Sequence, residues 1–301
     1  MKHSASIIIF LIIFCLKTMG AEPISPDGSY LYCKRDTCDL YMDVYYPKLQ
    51  NSSDTIGNLK PSILFISGRG FNNVSRYNEQ YASWFRKLNE NGFKVISIDY
   101  RTGLRPDDKT NSPQANQLVD NAIHLALEDL FCAINFIIDN AEQLEVNPEN
   151  IVASGSSAGA IIAMQAEYEI CNSTKWASVL PEGFRFAGIM SLAGGVLSPN
   201  GELKYAESPA PTLLIHGTED NVVPYNQIKS GKYCLYGSGK IVKKFQKSGF
   251  QYNMYHFKDA GHEISEALQE TFDIQLNFLD NNIIQKRPRI IDAWISDTSI
   301  R

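Results

Sequence analysis

No two of the six cysteines stand at Cys-x-x-Cys spacing, which removes the paired-thiolate signature of a zinc site. A run of about 20 apolar residues, the length a membrane-spanning helix needs, is also missing; the apolar stretch at residues 7–16 falls well short of it. A strong excess of one sign of charge is missing too. A net charge of -5 supplies no general attraction to nucleic acid or to an anionic membrane surface. No segment is rich enough in Pro, Gly or Ser to read as a linker, and no internal repeat divides the chain. What remains is a globular composition, 44% hydrophobic and 20% charged, in one long alternation of elements.

The opening "MKHSASIIIFLIIFCLKTMGA" joins a lysine, a short apolar run and the small residues Gly20 and Ala21. It reads as a secretory signal peptide over residues 1–20, leaving one domain over residues 21–301 in an extracytoplasmic setting, secreted or periplasmic, with no stable membrane insertion. Loss of the leader leaves Cys33, Cys38, Cys132, Cys171 and Cys234, an odd set that implies a free thiol. Cys33 and Cys38 flank "KRDT" between two strand-like runs, so a cross-hairpin disulfide is expected there. Cys171 with Cys234 has no support from spacing, and Cys132 falls in a helical pattern as a small buried hydrophobe. Sequons at Asn51, Asn73 and Asn172 matter only in a glycosylating host.

"YLYC" and "DLYMDVYYP" alternate like half-buried antiparallel strands. "PSILFISG", "GFKVISIDY", "NIVASGSSAG", "FAGIMSLAG" and "PTLLIHG" run straight through apolar residues, as strands buried on both faces do; "YNMYHFKDAG" is a further strand. Helical spacing marks "YNEQYASWFRKLNENG", "QANQLVDNAIHLALEDLFCAINFIIDNAEQL", "AIIAMQAEYEI" and "ISEALQETFDIQLNFLDNNI". Two antiparallel strands followed by repeating strand and helix units predict an α/β fold: a mostly parallel central sheet with helices on both faces. Residues 285–301 are expected to pack peripherally.

Ligands of open parallel sheets bind beyond the carboxyl ends of the strands. Gly155-Ser156-Ser157-Ala158-Gly159 fits Gly-x-Ser-x-Gly between a strand and a helix, with Ser157 in the central position. Such a serine needs a base. Of the five histidines, His3 leaves with the leader, His124 lies within a helix, and His256 lies within a strand. His216 closes a strand and could pack under the site as a second choice of base, whereas His262 alone occupies a post-strand loop, "DAGHE". A carboxylate must orient that imidazole; Asp220 in "HGTEDNVVP" is the choice over Glu219, a solvated loop carboxylate, and over Asp259 and Glu263, too close to His262 in sequence. The order Ser157, Asp220, His262 is that of the α/β-hydrolases.

From these motifs the chain resembles the α/β-hydrolase superfamily, and within it the carboxylesterase and acetyl- or feruloyl-esterase-like group. "LYMDVYYP", "ILFISGRGF", "VISIDYR", "LEDLFCAINFIIDNAEQLEVNPENIVASGSSAG", "LLIHGTEDNVVPY" and "DAGHE" carry the resemblance. It implies backbone oxyanion donors at Ala158, Arg69 and Gly70, with Ser67-Gly68-Arg69-Gly70 where relatives commonly carry His-Gly-Gly-Gly. An arginine is tolerable there if its φ stays negative. The activity implied is hydrolysis of short-chain or hydroxycinnamoyl esters, free or borne on polysaccharide, without metal or cofactor and without nucleic-acid partners. Two rival readings share the motifs: a serine peptidase of the prolyl-oligopeptidase type, which usually carries a propeller not evident here, and a non-catalytic binding relative, which generally loses a triad member. Segments "RTGLRPDDKTNSP" and "VLSPNGELKYAESPAP" are expected to rim the pocket.

Overall fold

The computed structural model describes residues 24–47, 60–71, 75–104 and 115–296. The leader, the sequons at Asn51 and Asn73, most of "RTGLRPDDKTNSP" and the last five residues lie outside the described residues.

Twelve strands are present among the described residues: β1 (Gly28–Lys34), β2 (Asp39–Tyr45), β3 (Ser62–Ile66), β4 (Val95–Ile98), β5 (Ile151–Ser156), β6 (Gly188–Leu192), β7 (Gly195–Ser198), β8 (Thr212–Gly217), β9 (Gln227–Ser230), β10 (Tyr233–Gly237), β11 (Tyr252–Phe257) and β12 (Ile290–Ile295). Nine of them form one sheet in the order β1-β2-β4-β3-β5-β6-β8-β11-β12. β1 and β2 pair antiparallel, β2 meets β4 antiparallel, and every later pairing is parallel. The α/β-hydrolase fold expected from the motifs is therefore the fold observed.

Helices α1 (Glu79–Glu90), α2 (Ala115–Asp139), α3 (Ala158–Cys171), α4 (Ser238–Ser248) and α5 (Phe272–Phe278) cover the sheet. Strand residues alternate between two cores. Leu64 and Ile66 of β3 join the apolar faces of α2, α3 and α4, while Ile63 and Phe65 meet Trp84 and Phe85 of α1 and Phe272 and Phe278 of α5. This explains the uninterrupted apolar runs: neither face of these strands reaches water. Each such side chain contributes about 1.5–3 kcal/mol by leaving water. The one polar atom of Trp84 is satisfied, its indole N–H donating to Gln275 Oε1 of α5 at 2.8 Å. Helix α1 starts at Asn78, whose side chain accepts the Gln80 N–H, and stops before Gly92 at φ +79°.

The structure adds to the sequence reading in two places and corrects it in two. The tail supplies β12, which pairs parallel with β11. Residues within the expected rim segment form β7, which joins β10 and β9 in a small antiparallel sheet. The closing helix is broken into a 3-10 turn (His262–Glu266), α5 and a π-turn (Leu279–Ile284). The five described cysteines are all free thiols, and Cys33 lies opposite Leu40 rather than Cys38 in the hairpin register. The third sequon is occupied internally: the Asn172 amide donates to the Tyr168 and Lys204 carbonyls and accepts from the Ala206 N–H.

Candidate active site

Ser157 sits at the junction of β5 and α3 with φ +52° and ψ -119°. An L-residue adopts this geometry only where its surroundings enforce it. Here the chain must turn from strand to helix within one residue, and the two glycines of the motif allow the turn to close. A Cβ on Gly159 would lie 2.0 Å from the Ile66 carbonyl oxygen, and one on Gly155 would lie 2.3 Å from the Gly159 backbone. The Ser157 N–H is fixed by the Leu192 carbonyl at 2.9 Å. Ser156 is buried and donates from Oγ to the Ser265 carbonyl at 2.6 Å.

The structure brings Ser157, His262 and Asp220 together from three strand ends. Ser157 Oγ is 2.8 Å from His262 Nε2, and His262 Nδ1 is 2.7 Å from Asp220 Oδ2. An ionised carboxylate only accepts, so Nδ1 carries the proton and Nε2 presents its lone pair to the serine hydroxyl. The serine and histidine remain partly exposed, whereas the Asp220 side chain is fully buried.

Asp220 gathers donors on both oxygens. Oδ1 accepts the N–H groups of Val222 and Val223 at 2.9 and 3.0 Å. Oδ2 accepts from His262 and also lies 3.2 Å from Nε2 of His216. That second imidazole is fully buried at the end of β8, its Nε2 also 3.0 Å from the Val223 carbonyl and its Nδ1 2.8 Å from Ser238 Oγ. A carbonyl can only accept, so the His216 proton is on Nε2 and Nδ1 accepts from the Ser238 hydroxyl. Burial alone would raise the Asp220 pKa, but the hydrogen bonds from His216 and His262, and the charge His262 carries when protonated, outweigh it. Asp220 is thereby held well below the usual carboxylate range. His216 thus sits beneath Asp220, and the imidazole within hydrogen-bond distance of Ser157 Oγ is that of His262.

The other candidates stand apart. Glu219 is exposed in the acid loop. His124 stacks on Trp176 at 4.1 Å. His256 lies between Tyr225 Oη and Asp292 Oδ1, at 2.5 and 2.8 Å, beside Trp294. Glu263 accepts the Gly261 N–H.

Ala158 opens α3, whose first-turn N–H groups have no acceptor within the helix and point at the serine's end. Opposite it, the loop after β3 carries Arg69 at φ +80° and Gly70 at φ +64°. Arg69 was expected at negative φ and instead occupies the left-handed region, because the chain must curl twice in succession to bring this loop over the elbow. Two phenols hold it: the Gly68 N–H donates to Tyr81 Oη at 3.2 Å, and the Tyr100 hydroxyl donates to the Ser67 carbonyl at 2.8 Å. Neither tyrosine was singled out by the sequence. Arg69 lines a cleft of about 320 Å³ with Tyr77 and Asn78, between this loop and the start of α1.

With this geometry in place, the fold described above is shared with α/β-hydrolase esterases of known structure. Residues 42–174 match the BD-FAE model, that of an α/β-hydrolase esterase family; the match takes in the loop after β3 and Ser157 but neither Asp220 nor His262. The thermophilic esterase Est2 of the planctomycete Thermogutta terrifontis is similar at a TM-score of 0.59 and 20% identity, covering 84% of this chain and 91% of that one. The same esterase phosphorylated by paraoxon is similar at 0.56 and 19%, covering 84% and 92%. Among curated proteins, the non-reducing polyketide synthase ausA of Emericella nidulans is 32% identical over 141 residues, 46% of this chain and 5% of that protein. The synthase mapC of Penicillium brevicompactum is 32% identical over 358 aligned residues, 85% of this chain and 14% of that one. The chain thus spans only a small part of the length of the curated relatives it matches.

Proposed function

We propose that the chain is a secreted serine carboxylic-ester hydrolase acting through Ser157, His262 and Asp220. The observation that carries the reading is the unbroken line of hydrogen bonds from Ser157 Oγ through the imidazole to Asp220 Oδ2. As Ser157 attacks the ester carbonyl, His262 Nε2 takes its proton, and the imidazolium formed is stabilised by a carboxylate already ionised. Charge developing on the carbonyl oxygen is met by backbone N–H groups of Ala158 and of the Arg69–Gly70 loop. His262 then returns the proton to the leaving alcohol. Water attacks the acyl-enzyme with His262 again as base, regenerating Ser157 and releasing the acid. The preferred substrates are esters of small or hydroxycinnamic acids, free or carried on glycans, a preference supported by the resemblance and the BD-FAE match.

The test is a panel of short- and long-chain p-nitrophenyl esters, acetylated xylan, a feruloylated oligosaccharide and dipeptidyl anilides, run on wild type and Ser157→Ala. Ester turnover is expected, and Ser157→Ala is expected to lower it by about a thousandfold or more. Cleavage of the anilides alone, or full ester turnover by Ser157→Ala, would overturn the reading.

A further inference from the structure

Strand β1 and helix α2 meet along three residue pairs. Tyr30 and Phe136 approach with ring centroids 6.5 Å apart. Arg35 Nε donates to Asp129 Oδ1 at 2.9 Å. Between these two contacts lie Cys33 on β1 and Cys132 on α2, side by side along the same seam. Cys132 Sγ also lies 3.7 Å from the Tyr32 carbonyl oxygen, which seats this turn of the helix on this segment of the strand.

The placement follows from local geometry. Asp129, Cys132 and Phe136 are three and four residues apart and so share one helix face. Tyr30 and Cys33 would lie on opposite faces of a regularly alternating strand. The register of β1 against β2 shifts between Leu31 and Cys33, and this irregularity turns Cys33 to the side that Tyr30 already faces. The same shift draws Cys33 away from the hairpin partner that sequence spacing suggested. Both thiols are partly exposed, within reach of a small reagent.

We propose that Cys33 and Cys132 are a disulfide-forming pair, clamping the edge strand β1 to α2 when the chain meets a disulfide donor such as oxidised glutathione. Burial, first, and then Cys33 push the Cys132 thiol up to about 12, so the exchange begins at Cys33. The Cys33 thiolate attacks one donor sulfur, breaking the donor S–S bond and expelling one reduced thiol. Cys132 then loses its proton and attacks the Cys33 sulfur of the mixed disulfide, expelling the second. Two protein thiols are oxidised and one donor disulfide is reduced to two thiols. The bond closes a loop of about 100 residues, a length at which the chain-entropy model gives a large stabilisation.

The pair is tested on the full chain equilibrated with oxidised glutathione, by peptide mapping without reductant and by thermal unfolding. A Cys33–Cys132 linked peptide is expected in wild type and in Cys38→Ser, and absent from Cys33→Ser and Cys132→Ser. Oxidation is expected to raise the unfolding midpoint of wild type and Cys38→Ser only, reversed by dithiothreitol. A Cys33–Cys38 linked peptide, or alkylation of both Cys33 and Cys132 in folded, oxidised protein, would overturn the proposal.

Discussion

The turn at Ser157 and the loop at Arg69 face each other across the same site, and both place a residue with a side chain at positive φ. They are held in different ways. The serine turn is enclosed by backbone: Gly159 against Ile66, Gly155 against Gly159, and the Ser157 N–H on Leu192. The loop at Arg69 is exposed, and its fixed points are hydroxyls at the ends of two tyrosines. Packing of buried backbone has almost no compliance, whereas a hydrogen bond to a phenol yields by tenths of an ångström. The proposed nucleophile is therefore set rigidly, while the loop proposed to supply oxyanion donors is held more softly.

The largest change expected is from disabling the rigid side's proton path. Asp220→Asn should lower kcat by about a thousandfold or more at pH 7, since the amide cannot stabilise the imidazolium and favours the wrong tautomer. The carboxylate's folded pKa lies below its unfolded value, so its contribution to stability is complete above about pH 3.9 and is lost as pH falls through the folded value. The difference in unfolding midpoint between wild type and Asp220→Asn should accordingly hold steady from pH 7 to 5 and shrink only in stronger acid, measured by calorimetry. Gly159→Ala comes next. With Ile66 O only 2.0 Å from the added carbon, the turn must shift, costing about 1–3 kcal/mol of stability. A displacement of this size should lower kcat about a hundredfold; an alanine variant with wild-type midpoint and turnover would remove the claim that this turn is rigid.

Much of this rigid side could be read from the sequence, because chemistry dictates residue types there. A nucleophile, base and acid at the ends of apolar runs leave few choices, and Ser157, His262 and Asp220 are found hydrogen-bonded in that order. His216 was placed beneath the site by its strand, but nothing in "LLIHG" shows that its Nε2 turns to an acid four residues on, past the bend at Gly217. Features set by packing alone were not legible. β12 was hidden because Ile290 and Trp294 are exposed on an edge strand, so the segment lacks the buried pattern of its neighbours. β7, β9 and β10 are only four or five residues long, too short for periodicity to speak. The side of β1 that Cys33 faces depends on a register shift that sequence spacing does not encode. Tyr81 and Tyr100 gave no signal either: on an apolar helix face and just past a buried strand, an aromatic residue reads as core.

The softer side gives smaller effects. Tyr81→Phe removes the acceptor for the Gly68 N–H while keeping the ring against Phe65 at 4.8 Å. Loss of one such bond is worth about 0.5–1.5 kcal/mol. If it bears on the oxyanion, kcat should fall about tenfold with KM and the unfolding midpoint little changed; an unchanged kcat would mean that this tyrosine does not position the donors. Arg69→Gly should change least. Releasing a side chain from the left-handed region gains about 1–2 kcal/mol, and the greater freedom of glycine in the unfolded chain takes back about 0.5–1 kcal/mol. Stability should thus rise by about 0–1.5 kcal/mol, since both effects act at the same φ. The backbone N–H stays in place, so kcat for neutral short-chain esters should be within about twofold of wild type. A guanidinium that reaches the substrate from its cleft would show itself as a higher KM for acidic esters alone. A large fall in kcat for neutral esters would instead mean that the arginine side chain, and not only the tyrosine hydroxyls, holds this loop in its working shape.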